Sequence, residues 1–140
     1  MASPGPADPA LVQAYRATIY RAFRPSPFDL RVAEYSSALD RWQRDCGVSC
    51  SAVLTAANPG SRRLSVHSND ERYRTLRAQL QDRMVLATEH IDPAGEWPIE
   101  RGLLVAGLAA DQARRCARRW GQIAWLQIDA AATPALMFSD

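Results

Sequence analysis

The chain has no lysine: all 17 basic side chains among its 140 residues are arginine. That absence removes Schiff-base catalysis, the phosphate-loop lysine and the kinase-type phosphate clamp, each of which needs an ε-amine. Only three cysteines are present, an odd number that supplies no disulfide framework and suits a reducing cytoplasm. No cationic and apolar signal segment opens the sequence, and no apolar run approaches the roughly 20 residues needed to span a bilayer. The longest run, Leu103 to Ala110, is of strand length. Glycine-rich phosphate-loop spacings and a Gly-x-Ser-x-Gly nucleophile elbow are also missing. Cys46 and Cys50 are separated by three intervening residues, with no second Cys/His pair at zinc-site spacing, so no metal is expected. Neither a cofactor nor a membrane partner is implied.

What is present reads as an ordinary folded chain, with 47% hydrophobic and 23% charged residues and a net charge of +2. Arginine without lysine, among many alanines, suggests a GC-rich coding background. The breaker-rich residues 1–7 read as a flexible tail, and residues 8–140 as one domain. Asp8 before Pro9 caps a first helix carrying Leu11, Ala14 and Tyr15 on one face. Thr18 to Arg24 and the alternating Phe28, Leu30 and Val32 then predict a hairpin broken at Pro25-Ser-Pro27.

Ser37 followed by Asp40 resembles a capping box for a helix that presents Leu39, Trp42 and Cys46 and ends at Gly47. Ser51 to Ala57 is apolar without alternation, as in a strand covered on both faces, and empties into the Asn58-Pro-Gly-Ser61 turn. Asn69 or Asp70 is expected to cap the helix of Tyr73, Leu76 and Leu80. Strands at Met84 to His90 and Leu103 to Leu108, a helix from Asp111 to Trp120 and strands at Ile123 to Ile128 and Ala135 to Phe138 complete the order α-β-β-α-β-α-β-β-α-β-β. The fold class expected is α+β: two layers, a mostly antiparallel mixed sheet, and helices on one face.

Tyr15-Arg16, Phe28-Asp-Leu-Arg31, Leu54-Thr-Ala-Ala-Asn-Pro59, Ser61, Asn69, Arg72, Trp97-Pro98 with Glu100, and Gly121-Gln122 together resemble a family of short bacterial proteins of unknown function. Ala57, Trp120 and Ile123 depart from that pattern, where an aromatic, a phenylalanine and an asparagine are usual. The resemblance implies a small cytoplasmic α+β domain and brings no catalytic residues with it.

Loops at strand and helix ends on a rigid scaffold tend to carry function, which places a candidate ligand site at Arg31, Asn58, Ser61, Asn69, Arg72, Trp97 and Gln122. The arginines and the helix after Asn69 suggest an anionic small molecule. A binding or regulatory module is therefore the leading expectation. A hydrolase or transferase acting on a phosphorylated or carboxylated metabolite, with His67 or Cys50 as its chemical group, is the alternative from another class. A homodimer joined through the Ala135 to Phe138 edge is a third. Arg114, Arg115, Arg118 and Arg119 could meet nucleic-acid phosphates, but cations near a helix C-terminus also complement its dipole, and no aromatic platform accompanies them. Both histidines read as surface residues, and Glu96 and Glu100 as solvated loop acids.

Overall fold

A computed structural model of the chain describes residues 8–140; the expected tail, 1–7, lies outside the described residues. Helices and strands follow in the expected order: α1 (Pro9–Ala17), β1 (Ile19–Ala22), β2 (Phe28–Leu30), α2 (Ser37–Cys46), β3 (Ser51–Thr55), α3 (Val66–Gln79), β4 (Val85–Ile91), β5 (Glu100–Ala106), α4 (Ala110–Arg119), β6 (Ala124–Ile128) and β7 (Ala135–Phe138). A short 3-10 turn spans Pro59–Ser61. Among the described residues no helix is long and apolar enough to cross a membrane.

Local chemistry explains most boundaries. The Asp8 carboxylate accepts from the Ala10 amide at 2.9 Å and Pro9 occupies the first helical position. Gly47 closes α2 with φ 71°, which needs no Cβ. Two caps differ from expectation. Ser36, not Ser37, caps α2, its hydroxyl accepting from Leu39 N at 3.1 Å. The cap of α3 is Ser65 rather than Asn69 or Asp70, and accepts from Ser68 N at 3.1 Å. No residue of α3 before Tyr73 is buried, so the apolar period that marks the helix begins only there, about two turns after the backbone has become helical.

All strand pairs are antiparallel, in the order β2-β1-β4-β5-β3-β6-β7. The central place of β3 accounts for its unbroken apolar sequence, since both of its faces are covered. Register sorts the side chains. Leu86, Leu104, Val53, Leu126 and Leu136 form one row across five strands, while Ala52, Leu54, Leu103 and Val105 point the opposite way. The second set meets Tyr73 and Leu76 of α3, Leu80 at that helix's C-terminal cap, and Ala113 and Ala117 of α4. The first meets Leu39 and Trp42 of α2. Helices thus lie on both faces rather than on the expected one. The α2 stripe of Leu39 and Trp42 needs an apolar partner, and the inner row supplies it, each fully buried leucine contributing about 1.5–3 kcal/mol.

Ala33 N donates to Pro134 O at 2.8 Å and Ser36 N to Ala132 O at 3.1 Å. These bonds join the segment after β2 to the segment before β7, the two sheet edges, so the sheet curls around its inner face. At this end α2 forms a plug: Gln43 Nε2 donates to Asp129 O at 3.1 Å and the Ser51 hydroxyl donates to Gln43 Oε1.

Candidate functional site

Away from the α2 plug, the curled inner face holds a cavity of 390 Å³. Its apolar wall comes from Leu11 and Ala14 of α1, Val53, Leu126 and Leu136, and its polar end from Thr55, Asn58, Ser61, His90, Trp97 and Glu100. The α1 face of Leu11, Ala14 and Tyr15 therefore faces this space.

Strand register builds the polar end. Tyr20 of β1 lies directly opposite His90 of β4, and His90 directly opposite Glu100 of β5. The Tyr20 and His90 rings meet edge to face, with centroids 4.8 Å apart. His90 is 8% exposed, and its Nε2 lies 2.9 Å from the Thr88 hydroxyl. The ring fits because Gly102, next along β5 on the same face, has no side chain: a Cβ there would stand 2.5 Å from His90 Nε2 and 2.6 Å from Cε1, and would collide with the Leu54 carbonyl oxygen. Burial pushes the His90 pKa down to about 3, so the imidazole is neutral at neutral pH. Its Nδ1 has no hydrogen-bond partner among the described residues.

Glu100 accepts from Asn58 Nδ2 at 2.8 Å and from Trp97 Nε1 at 2.9 Å, and both bonds land on Oε2. Burial pushes the carboxyl above its ordinary range, with the two donors pulling the other way. Oε1 has no partner among the described residues. Asp92 also lines the cavity, but its oxygens accept from the amides of Ala94, Glu96 and Trp97 at 2.9 to 3.0 Å and thereby shape the loop that presents Trp97. Burial raises the Tyr15 phenol above its ordinary pKa, and Ser61 is its hydrogen-bonding neighbour.

The loop beneath the cavity is held from behind. Asn58 takes φ 46°, a left-handed conformation asparagine tolerates, and accepts at Oδ1 from Leu64 N and Asn69 Nδ2, both at 2.9 Å. Asn69 Oδ1 in turn accepts from Asn58 N at 3.0 Å. Arg72 donates to Ala56 O at 2.5 Å and Trp120 O at 2.6 Å, and its guanidinium lies 5.1 Å from the Trp120 ring centre. Gln122 Nε2 donates to Ala57 O at 2.9 Å.

Of the seven sequence-derived candidates, Asn58, Ser61, Trp97 and Gln122 line the cavity. Asn69 and Arg72 buttress the loop from behind, and Arg31 lies outside the lining. His90 and Glu100 were missed as site residues. The expected surface histidine is buried, and Glu100 opens β5 instead of lying in a solvated loop. A signal existed: period two along Val85–Ile91 puts His90 on the face of Leu86, and along β5 puts Glu100 on the face of Leu104.

The other candidate chemistries lie elsewhere. His67 faces Glu71 at 3.1 Å with both side chains exposed, and Cys50 is not in the lining. On α4, Arg114 stacks 5.4 Å from the Trp125 ring centre, Arg115 pairs with Asp111 at 3.5 Å and Arg118 donates to Ser139 O at 2.5 Å. Three of the four arginines on that face thus have partners within the fold. Among the described residues no group of three or more His, Cys, Asp or Glu side chains could hold a metal ion.

No curated protein and no solved structure matches the chain. A family model does match, over residues 54–124, a span that runs from the end of β3 to the start of β6 and includes His90, Trp97 and Glu100. The chain belongs to this family, described as protein of unknown function (DUF3293).

Proposed function

We propose that the chain is a small-molecule-binding module whose ligand occupies the cavity on the inner face of the sheet. The observation carrying this reading is the cavity's construction: an apolar wall ending in a few convergent polar groups, of a volume within the usual range for small-ligand sites. Three free cysteines and the all-arginine basic set suit the bacterial cytoplasm as its place of action. The ligand is amphipathic, with its apolar body against Leu11, Leu126 and Leu136 and its polar head at His90 and Glu100. A thermal-shift screen of metabolites against the wild type and Ala14→Trp tests this. Ala14 is exposed on α1 yet lines the cavity, so tryptophan there narrows the space without disturbing the core. Hits that stabilise the wild type and not the variant support the reading, by mass action on the native state. Hits that stabilise both equally place binding elsewhere and refute it.

A second reading, a homodimer, rests on β7, which among the described residues pairs with β6 alone and so offers an edge. Light scattering on the eluted protein decides it, a monomer mass at high concentration ruling it out.

A further inference from the structure

We infer that the polar head of the ligand is a positively charged nitrogen carrying N–H groups, a primary amine or an amidine, seated between Glu100 Oε1 and His90 Nδ1. This rests on the proposed cavity function and specifies its ligand class.

The charge of the lining comes first. Its charged side chains are Asp92, Glu96 and Glu100, all carboxylates, and no arginine is among the lining residues. An anion entering this space would lose its hydration facing acidic groups with no cation to offset the loss. The two open acceptors come next. The Asn58 and Trp97 donors use Glu100 Oε2 and leave Oε1 for an N–H donor. The Thr88 hydroxyl can either donate to or accept from His90 Nε2, so an N–H donor in the cavity selects the tautomer in which Nε2–H donates to Thr88 and Nδ1 presents a lone pair; His90 and Glu100 are directly opposed across β4 and β5. Two acceptors on neighbouring strand positions match a group with at least two N–H donors, as an ammonium or amidinium has and an alcohol lacks. The aromatic lining agrees with this, because Tyr15, Tyr20 and Trp97 offer ring faces or edges of the kind that accompany bound cations. Arg63 shows that Trp97 accepts such a partner: its guanidinium lies 4.7 Å from that ring's centre, while its Nη2 donates to Glu96 O.

Calorimetric titration of the whole protein with benzylamine, benzamidine, benzyl alcohol and benzoate, at neutral pH and low salt, reads the ligand's charge. The cationic probes are expected to bind about tenfold or more tightly than benzyl alcohol, the size of a charge-assisted hydrogen bond over a neutral one, and benzoate most weakly. Glu100→Gln should erase the preference, bringing benzylamine and benzamidine to within about threefold of benzyl alcohol measured on the same variant. Benzyl alcohol or benzoate binding as tightly as benzylamine would overturn the cationic assignment and leave the cavity reading standing. Failure of all four probes to bind would sink both, since the cavity would then not accept a ring-sized ligand. The wild-type comparison is decisive by itself should Glu100→Gln fail to fold.

Discussion

Replacing Gly102 by alanine should destabilise the protein strongly although it adds a single methyl group. The new Cβ would stand 2.5 Å from His90 Nε2 and collide with the Leu54 carbonyl oxygen. That oxygen belongs to the β3–β5 pairing, in which Leu54 faces Leu103 and Thr55 faces Gly102, and cannot withdraw without distorting the ladder. The imidazole can rotate, but only by giving up the 2.9 Å bond to the Thr88 hydroxyl in a buried setting. Overpacking of this kind costs about 1–3 kcal/mol and a lost buried hydrogen bond about 1 kcal/mol, so a loss of about 2–4 kcal/mol is expected. For a chain of this size that lowers Tm by about 6–12 °C. Urea unfolding followed by tryptophan fluorescence measures it, with the slope expected to stay constant. His90→Ala, combined with Gly102→Ala, should recover about 1 kcal/mol relative to additivity, because the first change removes one of the two groups the second strikes. A Gly102→Ala protein within about 0.5 kcal/mol of wild type, the scatter of ordinary surface changes, would refute the account of how His90 is seated.

Three further outcomes follow from the same contacts. His90 is neutral in the fold and its pKa falls from 6.5 to about 3, so the unfolded chain binds the extra proton first and stability should drop as pH falls from 6.5 toward 3. Glu100, with its pKa raised, contributes the opposite slope above 4.5; His90→Asn should therefore flatten the acid limb in urea titrations at pH 7 and pH 4, and an unchanged limb would mean the histidine is not the titrating group. Asn58→Ala removes the donor to Glu100 and the acceptor for Leu64 N and Asn69 Nδ2, and should cost about 2–4 kcal/mol in the same unfolding assay. Arg72→Met should lower Tm while leaving the affinity of a cavity ligand within about threefold, since the guanidinium holds Ala56 O and Trp120 O rather than the cavity; a selective loss of affinity at unchanged Tm would return Arg72 to the ligand site.

Wherever side-chain period alone decides, the fold was legible. Phe28 and Leu30 alternate and form β2, the unbroken apolar run at Ser51 is the central strand, and Gly47 ends α2. Asn58, Ser61, Trp97 and Gln122, which line the cavity, were legible as candidates because turn chemistry and a loop tryptophan mark them locally. The pairing of His90 with Glu100 was not, since it depends on which residue of β5 faces which residue of β4 across the long Asp92–Ile99 loop, and one sequence carries no measure of that register. The arginines misled for a related reason. In a chain without lysine they fill every basic role, and nothing local separates Arg72, which binds two carbonyl oxygens, from an arginine waiting for a phosphate.

The position of β3 between β5 and β6 also bears on how the protein is made. A ribosome delivers β3 before either neighbour, and the strand is flanked on both sides only once synthesis has passed Ile128. Until β5 is complete at Ala106, an interval of seconds at about 5–20 residues per second, the central strand has no ladder partner on either side, and until Ile128 it has one at most. The nascent chain therefore depends on prompt completion or on a chaperone's cover, and a fragment stopped after α3 should precipitate rather than fold as a half.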